Sequence, residues 1–94
     1  MSDRLPARWM CTLDERVIEF VNESMLASPS LIASEIRFDA SEQRIRERCK
    51  VLAEAGLIAP IHEGEDYYVI TRSGQRYLEG ELDVKHQPRP RLVQ

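Results

Sequence analysis

The 94-residue sequence predicts a mainly α domain with a small β-hairpin, in the order α-α-α-β-β-α. Three observations favour this fold class. Apolar residues recur at helical spacing in three successive segments of the first two thirds of the chain. Gly56 then follows the third segment, as glycine does where a helix ends. Two short apolar runs with an acidic loop between them come next, which is the pattern of a hairpin.

The first helix is expected over residues 13–23. Thr12 and Glu15 have the spacing of a capping box, in which each side chain accepts a hydrogen bond from a free backbone N–H at the helix start. Apolar residues from Leu13 to Val21 then follow helical spacing, so one face of this helix is expected in the core.

The second helix is short and begins at a clear signal. Ser28 is a preferred N-cap, and Pro29 is tolerated at the first helical position because its missing N–H has no partner there. Ile32 and Ile36 fall on one face of this helix. Phe38, which follows the helix, is expected in the core.

The third helix carries a dense group of basic residues. Either Asp39, with Glu42 three residues later, or Ser41 can cap it, and Gly56 ends it. Its other face is apolar and is expected to be buried at Ile45, Cys49, Leu52 and Ala55.

Two strands are predicted at residues 57–61 and 67–70, and Thr71 is expected to cap a fourth helix. Because side chains alternate along a strand, Tyr67 and Tyr68 should point to opposite faces, with one of them in the core. The helix-hairpin order is that of a winged helix-turn-helix, with the third helix as its recognition helix and the hairpin as its wing.

Positive charge is concentrated in two places, although the net charge is −3. Residues 37–50 hold five basic and three acidic side chains, and residues 84–94 hold three basic side chains and no acidic one. For phosphate contact this distribution matters more than the total. We divide the chain into an N-terminal arm (1–11), a winged-helix domain (12–83) and a flexible basic tail (84–94).

Several function classes find no support. Cys11 and Cys49 belong to no metal-ligand motif, and Cys49 falls on the apolar face of the third helix, so we expect neither a metal nor a cofactor. No glycine-rich phosphate loop or catalytic constellation is present, so we expect no enzyme. No apolar run approaches the roughly 20 residues that span a bilayer, and the start lacks the apolar core of a signal peptide; a cytoplasmic location is therefore expected.

The segments SLIASEIRF, RIRERCKVLAEAGLI and YYVITRSGQRYLEG together carry a family resemblance. They resemble the winged-helix transcription regulators of archaea and, more narrowly, the haloarchaeal proteins similar to the phage phi-H repressor. The resemblance covers residues 9–82. It implies a repressor that binds double-stranded DNA as a homodimer on inverted repeats, with the third helix in the major groove. The acidic composition also fits a halophilic cytoplasm.

Carried onto this sequence, the resemblance implies a DNA-facing surface on the third helix. Arg48 lies nearer the buried stripe and is expected to be structural. The implied DNA-facing residues are Ser41, Gln43, Arg44, Arg46, Glu47 and Lys50.

The hairpin loop departs from a phosphate-binding wing. Residues 62–66 contain Glu63, Glu65 and Asp66 and no lysine or arginine, so the tip would repel phosphate. Arg72 and Arg76, just after the hairpin, are therefore the nearer phosphate-binding candidates. The acidic tip and net negative charge also leave open an alternative function, a winged-helix module that binds proteins and not DNA.

Overall fold

The structure, a computed structural model, describes residues 3–91. Met1 and Ser2 of the predicted arm and residues 92–94 of the predicted tail lie outside this range. The elements are α1 (Thr12–Ser24), α2 (Pro29–Glu35), α3 (Glu42–Glu54), β1 (Ile58–Pro60), β2 (Tyr68–Ile70), α4 (Arg72–Leu78) and a 3₁₀ turn (Val84–His86). The predicted fold class, mainly α with a small hairpin, is confirmed.

The hairpin is antiparallel, and the chain before α2 pairs with its outer edge. Tyr68 of β2 donates its N–H to the carbonyl of Ala27 at 2.8 Å and accepts from the Ala27 N–H at 3.0 Å. Tyr68 is 4% exposed, whereas Tyr67 is 50% exposed, which confirms the predicted alternation. The hairpin register pairs Ile58 with Ile70, Ala59 with Val69 and Pro60 with Tyr68.

The core lies between α1, α2, α3 and the hairpin. The apolar face predicted for α3 is confirmed, because its four residues are all fully buried. Tyr77 of α4 is also fully buried, and burial raises the pKa of its hydroxyl. Gly56 has a φ of +80°, the left-handed conformation expected of the glycine that follows α3.

The capping of α1 differs from the prediction by one residue. Cys11, not Thr12, is the N-cap, and the carboxylate of Asp14, not Glu15, accepts a hydrogen bond from the Cys11 N–H at 3.0 Å. The predicted capping pair was wrong because Asp14 also forms a buried ion pair with Arg48 of α3, and the local sequence does not reveal this contact. Glu15 accepts instead from Arg4, at 2.9 Å.

The other caps follow the sequence signals. Ser28 caps α2 and Thr71 caps α4, each by accepting a backbone N–H hydrogen bond. For α3 the cap is Ser41, one of the two predicted alternatives. The expected burial of Phe38 was wrong: its side chain is 39% exposed, and Ile36 packs against the core from the same connection.

The segments before α1 and after α4 lie side by side. Leu5 forms a parallel bridge with Asp83, and the Val84 N–H donates to the Leu5 carbonyl at 3.0 Å. The division into arm, domain and flexible tail stays a prediction. Among residues 3–91 no helix is long and apolar enough to cross a membrane.

Candidate nucleic-acid interface

Helix α3 has its apolar face in the core and its polar face in solvent. The Ser41 hydroxyl accepts the Arg44 N–H at 3.1 Å, which fixes the first turn of the helix. Burial of the opposite face against α1 and α2 then determines which side chains point outward. Arg46 is half-buried, and the other predicted positions are all exposed: Ser41, Gln43, Arg44, Glu47 and Lys50.

A buried ion pair fixes α3 against α1. The Arg48 guanidinium donates to both carboxylate oxygens of Asp14, from Nε to Oδ1 at 2.8 Å and from Nη2 to Oδ2 at 2.7 Å. The Asp14 side chain is fully buried and that of Arg48 is 16% exposed. These hydrogen bonds raise the pKa of Arg48. The expected structural role of Arg48 is confirmed by this geometry, which fixes the rotation of α3 about its axis.

Arg46 lies between two carboxylates. Its Nη2 donates to Oε2 of Glu42, one turn earlier in α3, at 2.8 Å. Its Nη1 donates to Asp66, which comes from the loop between the strands. Both partners raise the pKa of Arg46, with the Asp66 hydrogen bond as the larger cause. The guanidinium predicted to face DNA is therefore held by the hairpin tip and has its charge compensated locally.

The exposed cations of α3 have a different environment. Among the described residues, neither Arg44 nor Lys50 forms an ion pair with a carboxylate. Together with the exposed amide of Gln43, they present hydrogen-bond donors to solvent without a competing intramolecular acceptor. This part of α3 is available to an anionic or hydrogen-bonding partner.

Arg72 and Arg76 lie on another surface. They line a shallow cavity of about 350 Å³ together with Asn22, at the C-terminal end of α1, and the acidic residues Glu79 and Glu81. Arg76 also donates to the Glu81 carbonyl at 3.1 Å. The structure thus brings these two arginines together beside acidic neighbours, in a cavity whose described lining includes no residue of α3. Their role in phosphate binding stays a prediction.

The hairpin tip is exposed, and its acidic residues differ in their contacts. Gly64 turns the chain with a φ of +86°. Asp66 contacts Arg46, whereas Glu63 and Glu65 form no ion pair within the described part of the chain. One of the three acidic side chains therefore supports α3, and two remain directed at solvent.

The sequence did not lead to the prediction of two arginine partners, the buried Asp14 behind α3 and the exposed Asp66 in the hairpin loop. A signal for Asp14 was present: it lies three and seven residues before Val17 and Val21, on the apolar stripe of α1. A charged residue at such a position indicates a buried partner. No comparable signal identifies Asp66, because its two acidic neighbours in the loop look equivalent in sequence.

Comparisons with known proteins bear on the fold and the family. A family model described as "Winged helix-turn-helix phage repressor" matches residues 1–88. The repressor protein of Halobacterium phage phiH is 35% identical over 82 residues, which cover 81% of this chain and 86% of that protein. The family match includes the whole of α3 and the hairpin.

A similar crystal structure is that of the PhiH1 repressor-like protein from Haloarcula marismortui. It superposes with a TM-score of 0.86 at 29% sequence identity, and the match covers 95% of this chain and 99% of that one. The predicted winged helix-turn-helix fold and the predicted resemblance are thereby confirmed.

Proposed function

Because this chain belongs to the winged helix-turn-helix phage repressor family, we propose that it represses transcription by binding a specific double-stranded DNA sequence. The family is one of DNA-binding regulators and not an enzyme class. The observation that supports the proposal most strongly is helix α3 itself. It is fixed from behind by the Asp14–Arg48 pair and presents Arg44 and Lys50 to solvent.

In the proposed complex α3 enters the major groove, and its polar face contacts base edges. Arginine pairs well with the O6 and N7 atoms of guanine, and glutamine with the N6 and N7 atoms of adenine. Arg44, Arg46 and Gln43 would make these contacts. Glu47 would accept a hydrogen bond from the amino group of cytosine.

Arg46 already has two partners before any complex forms. Its guanidinium donates one hydrogen bond to Glu42 and one to Asp66. A guanidinium has five N–H donors in a planar arrangement, which allows it to keep one carboxylate while it contacts a base. The carboxylates then orient Arg46 in the groove.

The remaining predicted positions would contact the backbone. Ser41 uses its oxygen as an acceptor in the cap and keeps its O–H as a donor for phosphate. Lys50 would neutralise a phosphate beside the major groove. Arg72 and Arg76 would do so only if the duplex reaches the α4 surface.

We also propose that the protein is a cytoplasmic homodimer that binds an inverted repeat. A two-fold symmetric protein matches two half-sites about 34–36 Å apart, or one turn of DNA. The relatives named above come from a phage of Halobacterium and from Haloarcula, which supports a halophilic host. Sedimentation equilibrium tests the dimer, with twice the chain mass of 10.9 kDa expected.

Selection of bound duplexes from a random-sequence DNA pool, at low and at high salt, tests the proposal. We expect enrichment of one inverted repeat. Arg44→Gln is expected to relax base preference at one position of each half-site, with a loss of about 1–3 kcal/mol in discrimination there.

Arg16→Gln is the matched control, because Arg16 is an exposed cation on α1 that pairs only with Glu19 in the described residues. It should leave the selected sequence unchanged. Absence of any enrichment, together with no gel shift of random-sequence duplex even at low salt, would contradict DNA binding.

A protein-binding module is the second candidate. The net charge of −3 favours it, as do Glu63 and Glu65, the two exposed carboxylates of the hairpin tip that form no ion pair within the described residues. A folded protein without affinity for duplex DNA at low salt is the result that this candidate predicts.

A further inference from the structure

An open groove with a volume of about 750 Å³ lies between the N-terminal arm and the segment after α4. Three cationic side chains line it, Arg8 from the arm and Lys85 and Arg89 from the later segment. The one acidic residue in its lining is Asp83, which pairs with Lys85 at 3.6 Å. Arg8 and Arg89 are exposed and form no ion pair within residues 3–91. The groove therefore carries a net positive charge.

Backbone contacts hold the two sides of the groove in register. The parallel bridge between Leu5 and Asp83 joins them, and Val84 anchors the 3₁₀ turn because it is only 2% exposed. The Asp83 carboxylate caps this turn by accepting the Lys85 N–H at 3.0 Å. The cations thus project from a fixed pair of segments.

The groove is also tied to α3. The Trp9 carbonyl, at the arm side, accepts a hydrogen bond from Arg48 at 3.4 Å. Gln87, at the other side, donates from Nε2 to the carbonyl of Ala55, which follows the last turn of α3, at 3.1 Å. Both contacts connect groove-lining residues to α3 or its C-terminal end, so the groove has a fixed position relative to the recognition helix.

The contacts that α3 makes with the hairpin tip and with the arm leave the helix on opposite sides. Arg46, which contacts the hairpin tip, and Arg48, which contacts the arm, are two residues apart, or about 200° around the helix axis. The major groove is bounded by one phosphate backbone on each side of an inserted helix. On one flank of α3 the acidic hairpin tip would repel the phosphate backbone of DNA, whereas on the other flank the groove is basic.

We propose that the groove formed by Arg8, Lys85 and Arg89 binds the phosphate backbone on the flank of α3 away from the hairpin. This inference rests on the proposed DNA-binding function and adds a phosphate-binding surface that lies outside the helix-turn-helix and the hairpin. The ligand is a run of backbone phosphates, and its recognition is independent of base sequence.

The salt dependence of binding tests this assignment. The affinity for random-sequence duplex DNA is measured by fluorescence anisotropy over a range of salt concentrations, for the wild type and for Arg8→Gln, Lys85→Gln, Arg89→Gln and the triple variant. The slope of log K against log salt should become shallower by about 0.9 for each phosphate that the variant no longer neutralises. The sequence selected from a random pool should stay unchanged.

Arg16→Gln removes the same single charge from α1 and should leave the slope as in the wild type. Far-UV circular dichroism checks that each variant is folded, as expected for exposed side chains. An unchanged slope in the triple variant, with wild-type DNA binding intact, would overturn the groove assignment alone. Lack of DNA binding by the wild type would instead overturn the proposed function.

Discussion

Arg46 shows how a single side chain can be both partly exposed and restrained. It lies on the outward part of the recognition helix, yet two carboxylates accept its hydrogen bonds. An unpaired arginine on this face would attract any phosphate. An arginine whose charge is compensated by carboxylates contributes less binding free energy through sequence-independent phosphate contacts. In the proposed complex, Asp66 would therefore reduce non-specific affinity without removing the donor groups proposed to contact bases.

Asp66→Asn tests this role. The substitution removes one negative charge beside Arg46 and leaves a neutral amide as the acceptor, so Arg46 attracts phosphate more strongly. We therefore expect tighter binding to random-sequence duplex DNA and a salt slope steeper by about 0.9. Fluorescence anisotropy over a salt range measures both. Glu65→Gln is the matched control, since Glu65 lies next to Asp66 in the loop but does not contact Arg46. An equal effect in Glu65→Gln would mean that only the overall loop charge matters.

Cys49 gives a prediction about alkaline pH. Burial raises the pKa of its thiol from 9.0 to about 12, so the folded state holds this proton more tightly than the unfolded state does. The resulting stability is present below pH 9 and is lost as the pH rises toward about 12. Burial raises the pKa values of Tyr68 and Tyr77 in the same direction. Urea unfolding at several alkaline pH values should show this decline, and Cys49→Ala should make it less steep. A decline of the same slope in Cys49→Ala would contradict the role of the thiol.

At the scale of single elements, local signals predicted most of the fold. The caps Ser28, Ser41 and Thr71 each act on a backbone N–H three residues away, so the sequence alone identified Ser28 and Thr71 and left Ser41 as one of two alternatives. The buried stripe of α3 follows from periodicity in the same way. Phe38 was misplaced because the connection between α2 and α3 has no periodicity, and burial there depends on the course of the chain.

Contacts between elements were not predictable from the sequence. Asp14 and Arg48 are 34 residues apart, and Arg46 and Asp66 are 20 apart. The sequence showed Arg48 near the buried stripe but gave no reason to choose its partner among 16 acidic residues. The positions that form the candidate surface were thus predicted from the sequence, whereas the carboxylate partners of its arginines could be identified only from the structure.

Helix α4 packs unusually close to the start of the hairpin. A Cβ atom added at Gly74 would lie 2.1 Å from the backbone oxygen of Leu57, so the two elements would have to separate. We expect Gly74→Ala to destabilise the protein by about 1–3 kcal/mol or more, as overpacking does. Urea unfolding measures the change. Gln75→Ala, an exposed position in the same helix, should stay within about 0.5 kcal/mol. Equal stability of the two variants would contradict the close packing.

On the scale of the whole molecule, charge is segregated although the total is small. The outward part of α3 and the groove between the arm and the segment after α4 carry exposed cations, and the hairpin tip carries exposed carboxylates. In the halophilic cytoplasm proposed above, salt would weaken all contacts with phosphate. Base-edge contacts would then supply a larger share of the binding free energy, which suits a helix whose rotation is fixed.

The Asp14–Arg48 pair connects the arm, α1 and α3, so its loss should affect global unfolding. Asp14→Ala leaves Arg48 without its partner and removes the acceptor for the Cys11 N–H. We expect the free energy of unfolding to fall by about 3–5 kcal/mol. Urea unfolding followed by the fluorescence of Trp9, the one tryptophan of the chain, measures it.

Arg16→Ala removes a surface ion pair and serves as the control, with a change of about 0–1 kcal/mol expected. A similar small change in Asp14→Ala would show that the buried pair contributes little.

Under the proposed function, the contact between Arg46 and Asp66 also restricts how a DNA preference could be redesigned on this scaffold. Transplanting only the outward residues of a related recognition helix would place new side chains opposite an unchanged loop carboxylate. An incoming glutamate at position 46 would face Asp66 as a like charge, and an incoming alanine would leave Asp66 without its cation. A change of DNA specificity therefore requires that α3 and the hairpin loop be replaced together.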